Sequence, residues 1–145
     1  MPLTEEIHLR YNLYISHSWN HNDAHKDLDS LIKGRNDFDY RTYSLSPHHP
    51  VNQIKGERKL YETIKNKMKF CDAVIILCGV YPTYSRWINK ELIACKDELN
   101  KPLIAVQRFD SSHTSFIVKD RADVIVDWNA DNLINAIKRV VAGAK

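Results

Sequence analysis

The sequence predicts a three-layer α/β sandwich, with a five-stranded parallel sheet of flavodoxin-like type, strand order 2-1-3-4-5, and helices on both faces. Short apolar or alternating runs recur along the chain, and most are separated by segments with helical spacing, an alternation that favours parallel strands joined by crossover helices. The run "AVIILC" (Ala73–Cys78) is apolar throughout, as a central strand covered on both sides must be. No repeat, low-complexity tract or linker interrupts the pattern, so residues 1–145 read as one domain with a core from about 11 to 141.

The elements follow in order. "YNLYIS" (Tyr11–Ser16) reads as the first strand. "AHKDLDSLIKG" reads as a helix with Ala24, Leu28, Leu31 and Ile32 on one face, ended by Gly34. "FDYRTYSL" (Phe38–Leu45) alternates and is aromatic, a second strand, and "SPHHPVN" is a proline-bounded loop. Glu57 to Phe70 places Leu60, Tyr61, Ile64 and Met68 at helical spacing. After "AVIILC", Ser85 can cap a third helix whose core stripe is Ile88, Leu92, Cys95 and Leu99. "PLIAVQ" (Pro102–Gln107) and "DVIVDW" (Asp123–Trp128) are two further strands. A closing helix carries Leu133, Ile134, Ile137, Val140 and Val141.

Composition narrows the function classes. With 145 residues, 43% hydrophobic and 27% charged, the chain can bury one real core. Its formal charge of +3 is too small to imply nucleic acid. No apolar run is long enough to span a membrane, and "MPLTEEIHLR" lacks the basic-then-apolar order of a signal peptide. The three cysteines, Cys71, Cys78 and Cys95, read as free thiols in a reducing compartment, with the cytoplasm as default.

In a doubly wound sheet, ligands bind outside the carboxyl ends of the strands near the switch point. That edge here carries "SHSWNHN", "SPHHPVN" and "GVYPTYSRW". Only Gly34, Gly56, Gly79 and Gly143 are present, so neither a dinucleotide fingerprint nor a phosphate loop exists. The acids of a phosphoacceptor receiver are replaced by Ser16-His17 and Cys78-Gly79. His17, His21 and His25 stand four apart, but His17 follows a strand directly, so they do not share a helical face, and no metal site is expected. Arg58, Lys59, Lys65, Lys67 and Lys69 read as a solvated helix face.

Glu91 stands six residues after Ser85 and four after Trp87, in the early turns of the helix that leaves this edge. From spacing alone, a half-exposed acid near a helix start is the ordinary role, and a carboxylate at the mouth of the sheet the alternative.

At this point the residues resemble a family. "YNLYISHS" is similar to the first strand of Toll/interleukin receptor (TIR) domains, and "YSRWINKEL" resembles the TIR segment in which Ser-x-Trp opens a helix and a Glu follows. "YISHSW", "DYRTYSLSPHHPV", "CDAVIILCGVYPTYSRWINKELIAC" and "KPLIAV" together resemble the bacterial TIR-like subfamily that includes the TIR proteins of Thoeris antiphage defence. The resemblance implies that the Glu with which TIR enzymes cleave NAD falls on Glu91, and the preceding aromatic on Trp87. It implies that Ser16, His17, Ser18 and Trp19 receive the nicotinamide and its ribose, that the loop Ser46–Asn52 closes the site or assembles with a neighbour, and that Tyr81 and Ser85 border the substrate. This chain departs from the pattern in carrying His48-His49 where a glycine is common, and in lacking the basic residue often found after the first-strand Ser.

A single carboxylate suits such chemistry. Ordinary glycoside hydrolases need two, one of them to protonate a poor leaving group. Nicotinamide leaves from a positively charged nitrogen and departs neutral, so only the growing oxocarbenium needs help. Water would give ADP-ribose; with Trp19, Tyr81, Tyr84 and Trp87 excluding water, a hydroxyl of the same molecule would close a ring. The resemblance therefore implies NAD as substrate with no other cofactor, a cyclic ADP-ribose isomer as diffusible signal to an effector protein, and TIR–TIR self-association. A non-catalytic TIR interaction module is the alternative.

Overall fold

The computed structural model describes residues 10–16, 22–35, 37–43, 56–78, 85–107 and 116–143. Within them the chain forms β1 (Arg10–Ile15), α1 (Asn22–Lys33), β2 (Asp39–Thr42), α2 (Glu57–Met68), β3 (Ala73–Cys78) and α3 (Ser85–Leu92). A π-helical segment (Ile93–Glu98) continues α3, followed by β4 (Leu103–Gln107), α4 (Phe116–Arg121), β5 (Val124–Asp127) and α5 (Ala130–Gly143). All strand pairs are parallel and their order is β2-β1-β3-β4-β5, the order expected.

Strand alternation divides the core between two faces. Leu13 and Ile15 of β1, Ala73 and Ile75 of β3, and Ile104 and Val106 of β4 pack with Leu28 and Ile32 of α1 and Leu133, Ile134 and Ile137 of α5. The intervening residues Tyr14, Val74, Ile76, Leu103 and Ala105 pack with Leu60, Ile64 and Met68 of α2, with Leu92 and Cys95, and with Val118 of α4. Side chains that alternate along a strand necessarily serve opposite faces.

Carboxylates close the amino ends of two strands. Asp72 Oδ2 accepts the Asn12 N–H at 2.9 Å, and Asp123 Oδ2 accepts the Leu103 N–H at 2.7 Å and the Lys96 ammonium at 2.7 Å. Arg35, just past α1, bonds Asp131 at the start of α5 and Asp37 beside β2. Of the basic stretch on α2, Arg58 pairs with Glu62 one turn on, while Lys65 reaches Glu98.

Three features differ from the expectation. β2 is shorter than Phe38–Leu45: Phe38 lies before it, buried and stacked on Tyr11 and Tyr40, and residues 44–45 lie outside the described residues. The third helix is not one α-helix through Leu99; from Ile93 it widens, with the Leu99 N–H reaching the Ala94 carbonyl five residues back at 2.9 Å. Helix α4 was not anticipated, because "FIVKDR" is too short to show a helical repeat.

Two predictions arise here. Burial pushes the thiols of Cys71 and Cys95 up to about 12. In a Cys78→Ser background, both are expected to resist a thiol reagent at pH 8 in the native chain and to react fully in denaturant; fast native labelling of either would show that it is not enclosed. The second concerns Glu98, which accepts Lys65 Nζ at 2.7 Å and the Tyr61 hydroxyl at 2.8 Å, contacts that hold its carboxyl below the ordinary 4.5. A lowered carboxyl favours the folded state above its unfolded value, and that advantage disappears as pH falls through the folded one. Glu98→Gln is therefore expected to lower denaturant stability near pH 7, with the difference from wild type narrowing as pH falls below the ordinary 4.5; a gap that stays constant as the pH is lowered through the acid range would overturn it.

Candidate active site

The chain crosses over at β1, which lies between β2 and β3, so the switch point, where sheets of this kind bind their ligands, falls at the carboxyl end of β1. Ser16 stands there. Its N–H donates to the Ile75 carbonyl at 2.9 Å, extending the β1–β3 ladder by one residue and fixing where the side chain starts. Tyr14, two residues earlier, shares its face of the sheet, the face covered by α2 and α3.

From the other side, α3 begins at Ser85 and brings Glu91 down its second turn onto this edge. The carboxylate meets β1 directly: the Ser16 hydroxyl donates to Oε1 at 2.6 Å and the Tyr14 hydroxyl to Oε2 at 2.8 Å. Tyr14, Ser16 and Glu91 each have 0% exposure. The half-exposed helix-start acid that spacing favoured is thus not what forms. A carboxylate taken out of water costs several kcal/mol unless its oxygens are satisfied, and charge-assisted hydroxyl donors supply that compensation.

Leu92 and Cys95, next on the helix, are buried beneath the same face. Cys95 Sγ donates to the Lys101 carbonyl at 3.4 Å, and the Lys101 N–H reaches the Cys95 carbonyl at 2.8 Å, which ties the π-helical segment to the approach of β4. Lys90, adjacent to Glu91, instead points to Glu57 on α2.

Of the residues singled out from sequence, Ser16 and Glu91 are brought into contact. His17, Ser18, Trp19, Ser46 and Tyr81 lie outside the described residues. Ser85 and Trp87 lie on α3, where the helical backbone alone is described. His25 has the same standing on α1, while His21, His48 and His49 lie outside the described residues. Among the described residues, no group of three His, Cys, Asp or Glu side chains is arranged to hold a metal.

Sequence reasoning missed Tyr14. The signal was available, because a strand that aims Ser16 at the helix aims Tyr14 the same way. A separate cavity of about 400 Å³, lined by Lys96, Lys101, Asp123 and Val140, lies at the amino ends of β4 and β5, the wrong edge for switch-point chemistry.

The sheet order and the buried acid at the switch point define a doubly wound α/β protein of receiver-like architecture. The signal receiver domain of a modulated diguanylate cyclase from Desulfovibrio desulfuricans G20 shares it, with TM-score 0.60 and 9% identity over 93% of this chain and 96% of that one. So does a response regulator receiver protein from Sinorhizobium medicae WSM419, with TM-score 0.51 and 12% identity over 94% of this chain and 98% of that one. Identity this low carries the fold alone. No curated protein matches the chain. The family described as "Thoeris protein ThsB, TIR-like domain" matches residues 14–113, and the chain belongs to it. The matched span includes Tyr14, Ser16 and Glu91.

Proposed function

We propose that the chain is an NAD-consuming enzyme of antiphage signalling, cleaving the nicotinamide–ribose bond with Glu91 as the catalytic carboxylate. The observation that supports this best is the Glu91 carboxylate held by Ser16 and Tyr14 at the switch-point edge of the sheet. A negative charge fixed in a low-dielectric site stabilises developing positive charge far better than one in water.

The bond between the anomeric carbon and the pyridinium nitrogen breaks with its electron pair going to nicotinamide, which leaves neutral. The oxocarbenium left on the ribose lies against Glu91. Water attacking that carbon and losing a proton gives ADP-ribose; a hydroxyl of the same molecule doing so gives a cyclic isomer. The cyclic product is favoured where aromatic side chains keep water out, the part assigned to Trp19, Tyr81 and Trp87, with His17, Ser18, Ser46 and Ser85 bordering the ribose and phosphates. On this proposal NAD is the substrate and no further cofactor is needed. The nucleotide product carries the signal to an effector, residues 1–145 act as one cytoplasmic domain, and TIR–TIR contacts assemble it.

The test is purified protein with NAD, following nicotinamide release and separating cyclic from linear products. Trp87→Ala is expected to raise the linear share by admitting water; an unchanged product ratio and rate would remove Trp87 from the site.

One observation favours a second reading, a non-catalytic TIR interaction module. Glu91 has 0% exposure and is bonded within the protein, as a structural acid would be. Turnover then would be absent in every state, and Glu91→Gln would alter stability alone.

A further inference from the structure

We propose that Tyr14 is a positioning residue for the reaction, its hydroxyl acting with that of Ser16 as a two-point clamp that orients the Glu91 carboxylate and keeps it charged. This rests on the NAD-cleaving role proposed for Glu91.

Tyr14 sits among apolar neighbours on its face, including Leu60, Ile64, Val74 and Leu92. For packing alone, a phenylalanine would serve there; the hydroxyl adds nothing apolar and would be costly to bury without a partner. Its partner is Glu91 Oε2 at 2.8 Å, while Ser16 takes Oε1 at 2.6 Å. Residues two apart on a strand lie about 6.6 Å apart on one face. Two hydroxyls on that baseline converge on two oxygens of one group, and this fixes the carboxylate plane in a way a single bond cannot. Orientation matters because the electrostatic help depends on charge being in place before the reaction begins.

The clamp also acts on protonation. Hydrogen bonds donated to a carboxylate favour its charged form. Among the described titratable groups, Tyr14 of β1 bonds Glu91 and Cys95 of the π-helical segment interacts with its charge, while Lys90 on α3 is engaged by Glu57 of α2. Losing one donor raises the pH below which Glu91 takes up a proton and the reaction stops. A hydrogen bond to a charged group corresponds to a shift of about one to two pH units.

Tyr14→Phe is therefore expected to lower kcat for nicotinamide release about 10- to 100-fold, with KM changed by less than about 3-fold, and to move the acid limb of kcat upward by about one to two pH units. Tyr61→Phe removes a comparable hydroxyl from the Glu98 contact on the same face and is expected to move neither. An unshifted acid limb with wild-type kcat in Tyr14→Phe overturns the proposal.

A second measurement needs no turnover. Carbon-13 NMR titration of the Glu91 carboxyl, assigned by its loss in Glu91→Gln, is expected to show an upward shift of about one unit or more in Tyr14→Phe and in Ser16→Ala. An unmoved titration in both variants overturns the clamp whatever the activity. A moved titration in a protein that never releases nicotinamide upholds the clamp and removes the proposed reaction. Should Tyr14→Phe not fold, 3-fluorotyrosine incorporation supplies a stronger donor and is expected to move the titration downward; no movement is the overturning result.

Discussion

Glu91→Gln is expected to reduce NAD turnover by at least about 100-fold while leaving the chain folded. Glutamine matches the size of the acid and keeps one carbonyl oxygen for a hydroxyl donor. Its amide nitrogen faces the other hydroxyl, which can rotate to accept instead of donate. Both Ser16 and Tyr14 can therefore stay bonded, and what disappears is the negative charge beside the ribose. Losing charge-assisted bonds lowers stability by about 1.5–3 kcal/mol at most, which equilibrium denaturation would register beside the kinetics. Wild-type turnover in a folded Glu91→Gln would refute the catalytic role outright, since no other described carboxylate lies at the switch point.

The largest effect on stability is expected at Ile104. It is the second residue of β4, in register with Ile75 of β3 and Val124 of β5, has 0% exposure, and lies in the core on the α1/α5 side of the sheet. Ile104→Ala leaves a cavity between a sheet and two helices that cannot close without moving a strand. The cost is about 2–5 kcal/mol, or a fall in Tm of roughly 6–15 °C for a chain of this size. Because the side chain points away from the face that carries Tyr14, Ser16 and Glu91, kcat well below the new Tm is expected to stay near wild type. Differential scanning calorimetry showing a fall below about 2 °C would mean the α1/α5 face is not the packed core described.

Much of the architecture was legible beforehand because it depends on local periodicity. The apolar run Ala73–Cys78 is a strand in the structure with the same bounds, and Leu60, Ile64 and Met68 are buried on α2 as their spacing implies. The parallel order followed from the alternation of strands with helices. What was misread has a common character. Helix α4 is a single short turn and a half held by its packing through Val118, and the widening at Ile93–Glu98 comes from how that segment meets the approach to β4 through Cys95 and Lys101. Neither leaves a mark in the local pattern.

The site divides the same way. Glu91 and Ser16 were singled out by the resemblance of short motifs to a family, because such motifs are a linear property. That the two touch, and that Tyr14 completes the contact, was decided by tertiary structure: the bonds join positions 75 and 77 residues apart. Strand register sets which β1 side chains face α3, and the helix phase sets which residue they meet. A one-residue slip of the strand would turn Leu13 and Ile15 toward the helix, and a one-residue change of helix phase would carry the acid away from its donors. Local sequence determined the strand and the helix; only the packing of one on the other made a buried, hydrogen-bonded carboxylate.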